Sequence, residues 1–175
     1  MENQKSSMKQ VMFTYGVYLG LATILINVIN YAVGDTYDPE SWVQILGILV
    51  SIVFTVLALK QFRSGNEGLM SLGQALKIGV GASLISGVIY IIYMLVFTSV
   101  VEPNFYLNME EVQYQKLLEQ YPNWSDEQLE AAKENLSAFS GSGASSAIIL
   151  IFSIFFGFVI SLIAGLIMKQ NRPEH

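Results

Sequence analysis

The chain contains no cysteine, and its single histidine is His175. Without cysteine there is no disulfide, no thiol nucleophile and no thiolate ligand for a metal. One histidine in a terminal position, where chains usually fray, does not supply the several imidazoles of a zinc or haem site. The sequence therefore predicts neither a metal site nor a bound cofactor.

Charged residues are also scarce. They make up 13% of the chain, against 53% for apolar residues, whereas a typical soluble domain has about 25% charged residues. The scarcity is concentrated in four segments that contain no charged residue at all, which are residues 11–33, 41–59, 78–101 and 144–168.

These four segments are 23, 19, 24 and 25 residues long. About 20 helical residues cross the ~30 Å hydrocarbon layer of a bilayer. A soluble domain can bury one such helix, but not four. We predict an all-α integral membrane protein, a single polytopic domain whose four transmembrane helices form one bundle at about residues 11–33, 41–59, 75–101 and 144–168.

The positions of the positive charges predict the orientation, because Lys and Arg are enriched in the short cytoplasmic loops of membrane proteins. Two of the nine cations, Lys116 and Lys133, lie between the third and fourth spans. The other seven lie near the termini or between the second and third spans, and they are Lys5, Lys9, Lys60, Arg63, Lys77, Lys169 and Arg172. Both termini are therefore predicted to be cytoplasmic.

The segment 102–143 carries most of the negative charge. Between Glu102 and Glu134 it has eight acids and two lysines, a net charge of −6. Apolar residues recur at helical spacing on both sides of Pro122, and Ser125-Asp-Glu-Gln128 has the pattern of a helix capping box. We predict an extracytoplasmic helical hairpin that offers a surface to a protein partner. No basic patch supports nucleic-acid binding.

Small residues recur at every fourth position in the spans. The two longest ladders are Ala75, Gly79, Ser83 and Gly87 in the third span and Ser153, Gly157, Ser161 and Gly165 in the fourth. Shorter ladders are Gly16 and Gly20 in the first span and Gly47, Ser51 and Thr55 in the second. Small residues let helix backbones approach closely, which stabilises helix association in lipid. The ladders predict that the third span packs on the fourth, and packing between two copies of the chain is the alternative.

Three large polar side chains lie within the spans: Asn27, Asn30 and Gln44. Such groups need hydrogen-bond partners in lipid, so interhelical bonds, or water for Asn30, explain them as structural residues. The alternative is that they line a path for a substrate or an ion. A second capping box, Ser71-Leu-Gly-Gln74, predicts that the third helix begins near Leu72, before it enters the bilayer.

No Asp, Glu, Lys or Arg lies deep inside a span, which argues against ion-coupled transport. The spans also lack the His, Cys and carboxylate groups that acid–base and nucleophilic catalysis use. The chain is therefore predicted not to be an enzyme, and no catalytic residue is assigned.

Three stretches carry a family resemblance: Phe62–Gly79, FRSGNEGLMSLGQALKIG; Ile89–Tyr93, IYIIY; and Ile163–Lys169, IAGLIMK. Together with the four spans and the long acidic third loop, they resemble an uncharacterised Bacteroidetes family of four-helix membrane proteins, a domain of unknown function designated DUF4199. The resemblance covers nearly the whole chain. It implies a bacterial inner-membrane location, and it carries no activity and no functional residue.

Two functional hypotheses follow. The first is a non-enzymatic structural or interaction component of a bacterial inner membrane, which contacts a partner through the 102–143 segment or the small-residue faces. The alternative is a transporter or channel subunit that acts as a homo-oligomer. A continuous polar cavity that touches Asn27 and Gln44 would favour transport, whereas a dry, close-packed bundle with an exposed apolar hairpin face would favour the first hypothesis.

Overall fold

The structure is a computed structural model that describes residues 7–170. Lys5, Arg172 and His175 lie outside the described residues. Within that range the chain forms six α-helices and no strand, so the all-α prediction is confirmed. The helices are α1 (Met8–Val33), α2 (Ser41–Gly65), α3 (Leu72–Val96), α4 (Phe105–Gln120), α5 (Asp126–Phe139) and α6 (Ser142–Met168). A π-helical turn, Phe97–Val101, continues α3.

Four of these helices are long and apolar enough to cross a membrane: α1, α2, α3 with its π-helical turn, and α6, of 26, 25, 30 and 27 residues. They are longer than the uncharged segments because the helices continue into flanking polar residues, such as Lys60 in α2. The helix α6 begins at Ser142, two residues before the predicted start of the fourth span at 144.

Both predicted capping boxes are confirmed. The backbone N–H of Gln74 donates to Ser71 Oγ at 3.2 Å, and Ser71 N–H donates to Gln74 Oε1 at 2.8 Å. Gln128 and Ser125 repeat the arrangement at 3.3 and 3.0 Å. Each box satisfies two backbone amides that a helix start otherwise leaves without partners. This local chemistry places the starts of α3 and α5 at Leu72 and Asp126.

The helix α3 is central, since it packs along α1 on one side and along α6 on another. The helix α2 packs mainly on α1 and has less contact with α3 and α6. We call the end where α1 begins and α6 finishes the termini end, and the opposite end the loop end. The main buried cluster lies at the termini end and consists of Val11, Ala58, Leu59, Phe62, Met70, Ala75, Ile78 and Ala164.

Gln170, two residues beyond the end of α6, also holds the chain together at the termini end. Met70 and Gln170 exchange two backbone hydrogen bonds, each 2.9 Å long. The Arg63 guanidinium donates to Gly68 O at 2.9 Å and to the side chain of Gln170. Gly68 has a φ of +77°, a conformation that glycine adopts without steric cost. The loop between α2 and α3 therefore holds the last described residue in place.

An aromatic cluster connects α3 to α4 at the loop end. Phe97 contacts the ring of Phe105 in T-shaped geometry at 5.7 Å, and Phe105 contacts Tyr37 at 5.8 Å. Asn108 Nδ2 donates to Tyr37 Oη at 2.9 Å. That bond lowers the pKa of Tyr37, but desolvation and the nearby Glu102 carboxylate outweigh it, and the pKa lies above its ordinary value. These contacts fix the first turns of α4 against the end of α3.

Candidate functional site

A cavity of about 400 Å³ opens between α1, α2, α3 and α6 in the half of these helices nearest the loop end. We call it the hydroxyl cavity because hydroxyl groups make up most of its polar lining. Its polar residues are Thr23, Gln44, Ser51, Ser83, Ser86, Tyr90 and Ser153. The other lining residues are Leu19, Gly47, Ile48, Gly87, Ile149, Phe152 and Phe156. No charged side chain lines it, so its polar groups are neutral.

The polar groups fall into two sets according to their hydrogen bonds. Thr23 and Ser51 donate to carbonyls of their own helices, Leu19 O and Gly47 O, at 2.9 Å each. By contrast, Gln44, Ser83, Ser86 and Ser153 have no side-chain hydrogen-bond partner among residues 7–170. Ser83 and Ser86 are each only 7% exposed. The cavity therefore contains donors and acceptors that the described part of the chain does not satisfy.

The cavity does not continue to the termini end. In that direction Thr55, Leu59 and Ile78 are 2%, 0% and 0% exposed. Leu59 and Ile78 belong to the buried cluster that joins α2 to α3. The arrangement is a recess that is closed at half height, and it is not a passage through the four helices.

A second recess continues along the seam between α2 and α6. This α2–α6 groove has a volume of about 360 Å³ and is lined by Ile52, Val56, Ile160, Ile163, Ala164, Ile167 and Met168. Ile52 directly follows Ser51 of the hydroxyl cavity, and Ile160 lies one helical turn beyond Phe156 of that cavity. The two recesses therefore follow each other along one seam, the first with polar groups and the second apolar.

The structure brings the ladders of the third and fourth spans together. A Cβ atom placed on Gly157 would lie 2.6 Å from Ser83 Cβ, and one on Gly165 would lie 2.7 Å from Ala75 Cβ. Gly87 faces Ser153, and Gly79 packs against Ser161. Ser161 is fully buried, and its hydroxyl donates to Gly157 O. The close approach of α3 and α6 therefore depends on the missing side chains of these glycines.

The ladder of the first span packs on the opposite side of α3. A Cβ on Gly16 would lie 2.7 Å from Ile85 Cβ, and one on Gly20 would lie 3.1 Å from Ile89 Cβ. The second span behaves differently, because a Cβ on Gly47 would meet no atom within 4 Å. Gly47 and Ser51 line the hydroxyl cavity and make no tight helix contact there.

The three predicted intramembrane polar residues lie in three different environments. Asn27 Nδ2 donates to Tyr90 Oη at 3.1 Å, so Asn27 lies behind the cavity wall and does not line the cavity. Asn30 is 5% exposed and donates to Asp35 O at 3.2 Å, which links the end of α1 to the following loop. Gln44 alone of the three lines the cavity. The structure therefore does not bring them together into a single path.

Sequence reasoning missed Thr23, Ser86 and Tyr90. The signal was present in the third span, where Ser83, Ser86 and Tyr90 stand at positions i, i+3 and i+7 and hence on one helical face. In a span without charge, such a polar stripe indicates a face that is not turned to lipid. This polar stripe is hard to recognise in the sequence because Ser83 also belongs to the small-residue ladder with Gly79 and Gly87.

The four long apolar helices define the class: this is a multi-pass membrane protein. Residues 14–170 match the family model described as "Protein of unknown function (DUF4199)", and the chain belongs to this family. The resemblance found in the sequence is thereby confirmed. No curated protein and no solved structure matches the chain.

Proposed function

We propose that the protein is a non-enzymatic interaction component of a bacterial inner membrane. Its termini are cytoplasmic, and α4 and α5 form an extracytoplasmic helical hairpin that binds a cationic surface of a partner protein. The seven cations near the termini and the α2–α3 loop support this orientation.

Two contacts support the hairpin. Ser137 Oγ donates to Glu110 Oε1, and Lys133 Nζ lies 5.5 Å from the centre of the Tyr114 ring. Position 110 of α4 contacts position 137 of α5, and position 114, four residues later, contacts position 133, four residues earlier. This is the register of two antiparallel helices.

The observation that carries the proposal is the exposed acidic surface of α5. No residue of α5 is buried, and its four acids, Asp126, Glu127, Glu130 and Glu134, are exposed. Within residues 7–170 an ion pair joins Lys116 to Asp38, and the acids of α5 form no ion pair. With four acids and one lysine, α5 has a net negative charge, and such a surface steers association with a surface of the opposite sign.

The small-residue faces of α1, α3 and α6 are less suited to a partner, because the chain covers them itself. Gly79 and Gly157 are covered in the α3–α6 contact, and Gly16 is covered in the α1–α3 contact. This leaves the exposed acids of the hairpin as the surface that we propose for the partner.

The test is photocrosslinking in intact cells, with a photoreactive amino acid at Gln128 on α5 and, as the matched control, at the exposed Ile151 on the apolar surface of α6. We expect a protein adduct at Gln128 that disappears when Asp126, Glu130 and Glu134 are replaced by their amides. The adduct should also weaken as ionic strength rises, because salt screens exposed charges. An adduct that survives the amide replacements would contradict the proposal, and so would the absence of any adduct at Gln128.

The second candidate is a transporter or channel subunit that acts as a homo-oligomer. The hydroxyl cavity favours it, since Gln44 and six hydroxyl residues line one recess. Single cysteines at Ser51 and Ser153 test this. Rapid reaction of both with a charged, membrane-impermeant thiol reagent added from either side would support a water-filled path. Protection from that reagent on both sides, together with reaction with a lipophilic maleimide, would rule out such a path.

A further inference from the structure

Ser83 and Ser86 place two hydroxyl groups well inside the membrane-spanning part of α3. Each is 7% exposed and has no hydrogen-bond partner among the described residues. Inside a bilayer no bulk water is available, and a polar group without a partner costs free energy. Ser153, which is half-buried, and Gln44, which is exposed, border the same cavity and also lack partners within residues 7–170. The recess of about 400 Å³ thus has four polar side chains that are free to bind a molecule from outside the chain.

We propose that the hydroxyl cavity binds the head of a neutral lipid whose hydrocarbon chain lies in the α2–α6 groove. The head carries hydroxyl or ester groups and no charge. Serine hydroxyls and a glutamine amide both donate and accept hydrogen bonds, so they match hydroxyl and carbonyl oxygens equally well. A phosphate would meet no Lys or Arg in this cavity, and an unpaired charge at this depth is costly.

The order of the two recesses fits an amphipathic ligand. The polar groups lie toward the loop end, and the groove continues from Ile52 toward the termini end with apolar residues. From Gln44 to Val56 is twelve residues of α2, or about 18 Å. One leaflet of the hydrocarbon layer is about 15 Å deep. Along α2 the two recesses are therefore long enough for a polar head and one hydrocarbon chain that extends toward the termini end.

Glycine at position 47 keeps the site open. A Cβ there would meet no atom within 4 Å, so a larger side chain can occupy the cavity without moving a helix. This provides a variant that blocks the site and keeps the fold. Gly73, in the first turn of α3, also has nothing within 4 Å and lies outside both recesses, which makes it the matched control.

The experiment uses the full-length protein in phosphatidylcholine vesicles with a diacylglycerol that carries a diazirine in one acyl chain. We expect the label to map to residues 52–56 and 160–167, and excess unlabelled diacylglycerol to compete. Gly47→Leu should reduce the labelling about tenfold, whereas Gly73→Leu should leave it unchanged. The double variant Ser83→Ala with Ser86→Ala should reduce it several-fold, because hydrogen bonds of side chains in lipid contribute about threefold each on average.

Three outcomes would overturn the proposal. They are equal labelling by a phosphatidylglycerol with the same diazirine chain, unchanged labelling in Gly47→Leu, and no labelling of residues 52–56 and 160–167. The thermal midpoint of each variant confirms that the fold is intact. The result is separable from the partner proposal, since the amide variants of α5 lie outside both recesses and should keep full diacylglycerol labelling.

Discussion

Asn27 of α1 accepts a hydrogen bond from Tyr93 Oη of α3 at 2.7 Å. The same side chain donates to Tyr90, which lines the hydroxyl cavity. One amide thus uses its oxygen and its nitrogen to bind two tyrosines of the neighbouring helix. The pair holds α1 against α3 near the loop end, where α1 no longer has the close glycine contacts of Gly16 and Gly20.

This relationship predicts a measurable coupling between Asn27 and Tyr93. In a double-mutant cycle of Asn27→Ala and Tyr93→Phe, we expect a coupling free energy of about 0.6 kcal/mol and no more than about 1.7 kcal/mol. The measurement is the free energy of unfolding of all four proteins in SDS titrations. Additive effects of the two substitutions would contradict the hydrogen bond. Tyr106→Phe, which removes a hydroxyl outside this pair, is the control.

Two glycines that look alike in the sequence, Gly79 and Gly47, should differ in how a leucine substitution changes the free energy of unfolding. Gly79→Leu forces a side chain into Ser161 of α6, and we expect it to lower the free energy of unfolding by about 1–3 kcal/mol. Gly47→Leu enters open space, and its effect should lie between zero and a gain of about 1 kcal/mol from helix propensity. Thermal unfolding in detergent measures both. A similar decrease in the free energy of unfolding in both variants would show that other helices pack against position 47 in solution.

The capping box of α5 should control the local stability of that helix. Ser125→Ala removes the oxygen that accepts from Gln128 N–H, which costs about 1 kcal/mol. We expect amide hydrogen exchange in residues 126–139 to accelerate about fivefold, with no change in α1, α3 or α6. Ser125→Asp retains an acceptor at this position and should restore slow exchange. Unchanged exchange in Ser125→Ala would mean that the cap does not stabilise α5.

The proposed orientation predicts opposite labelling of two exposed positions. The natural chain has no cysteine, so Ser64→Cys and Ser142→Cys each introduce a single thiol. In intact cells a membrane-impermeant maleimide should label position 142 and leave 64 unlabelled until the membrane is opened. Labelling of both positions from outside, or of 64 alone, would refute cytoplasmic termini.

Local signals predicted the secondary structure well. The uncharged segments located the four long helices, and the serine–glutamine pairs located the starts of α3 and α5, because each signal depends on residues a few positions apart. The ends of the helices were less predictable, since a helix continues past the last apolar residue wherever its backbone remains hydrogen-bonded. The start of α6 at Ser142 is an example.

The candidate site was less accessible from the sequence because it depends on how far α2 stands from α3 and α6. Gly47 and Gly79 both belong to four-residue ladders, yet one borders a cavity and the other contacts Ser161. Asn27 was recognised as a group in need of a partner, but its two tyrosines lie 63 and 66 positions away. Such pairings are fixed by three-dimensional packing, and a single sequence contains no periodicity that reports them.

The bridge between Met70 and Gln170 has a consequence for the synthesis of the protein. It joins two residues that are one hundred positions apart, and α6 emerges from the ribosome after the other described helices. From Val101 to Gln170 the ribosome adds 69 residues, which takes about 3–14 s at typical rates of ~5–20 residues per second. During those seconds the glycine face of α3 has no partner helix. The bridge therefore closes only after α6 has been synthesised, when the first three long helices are already in place.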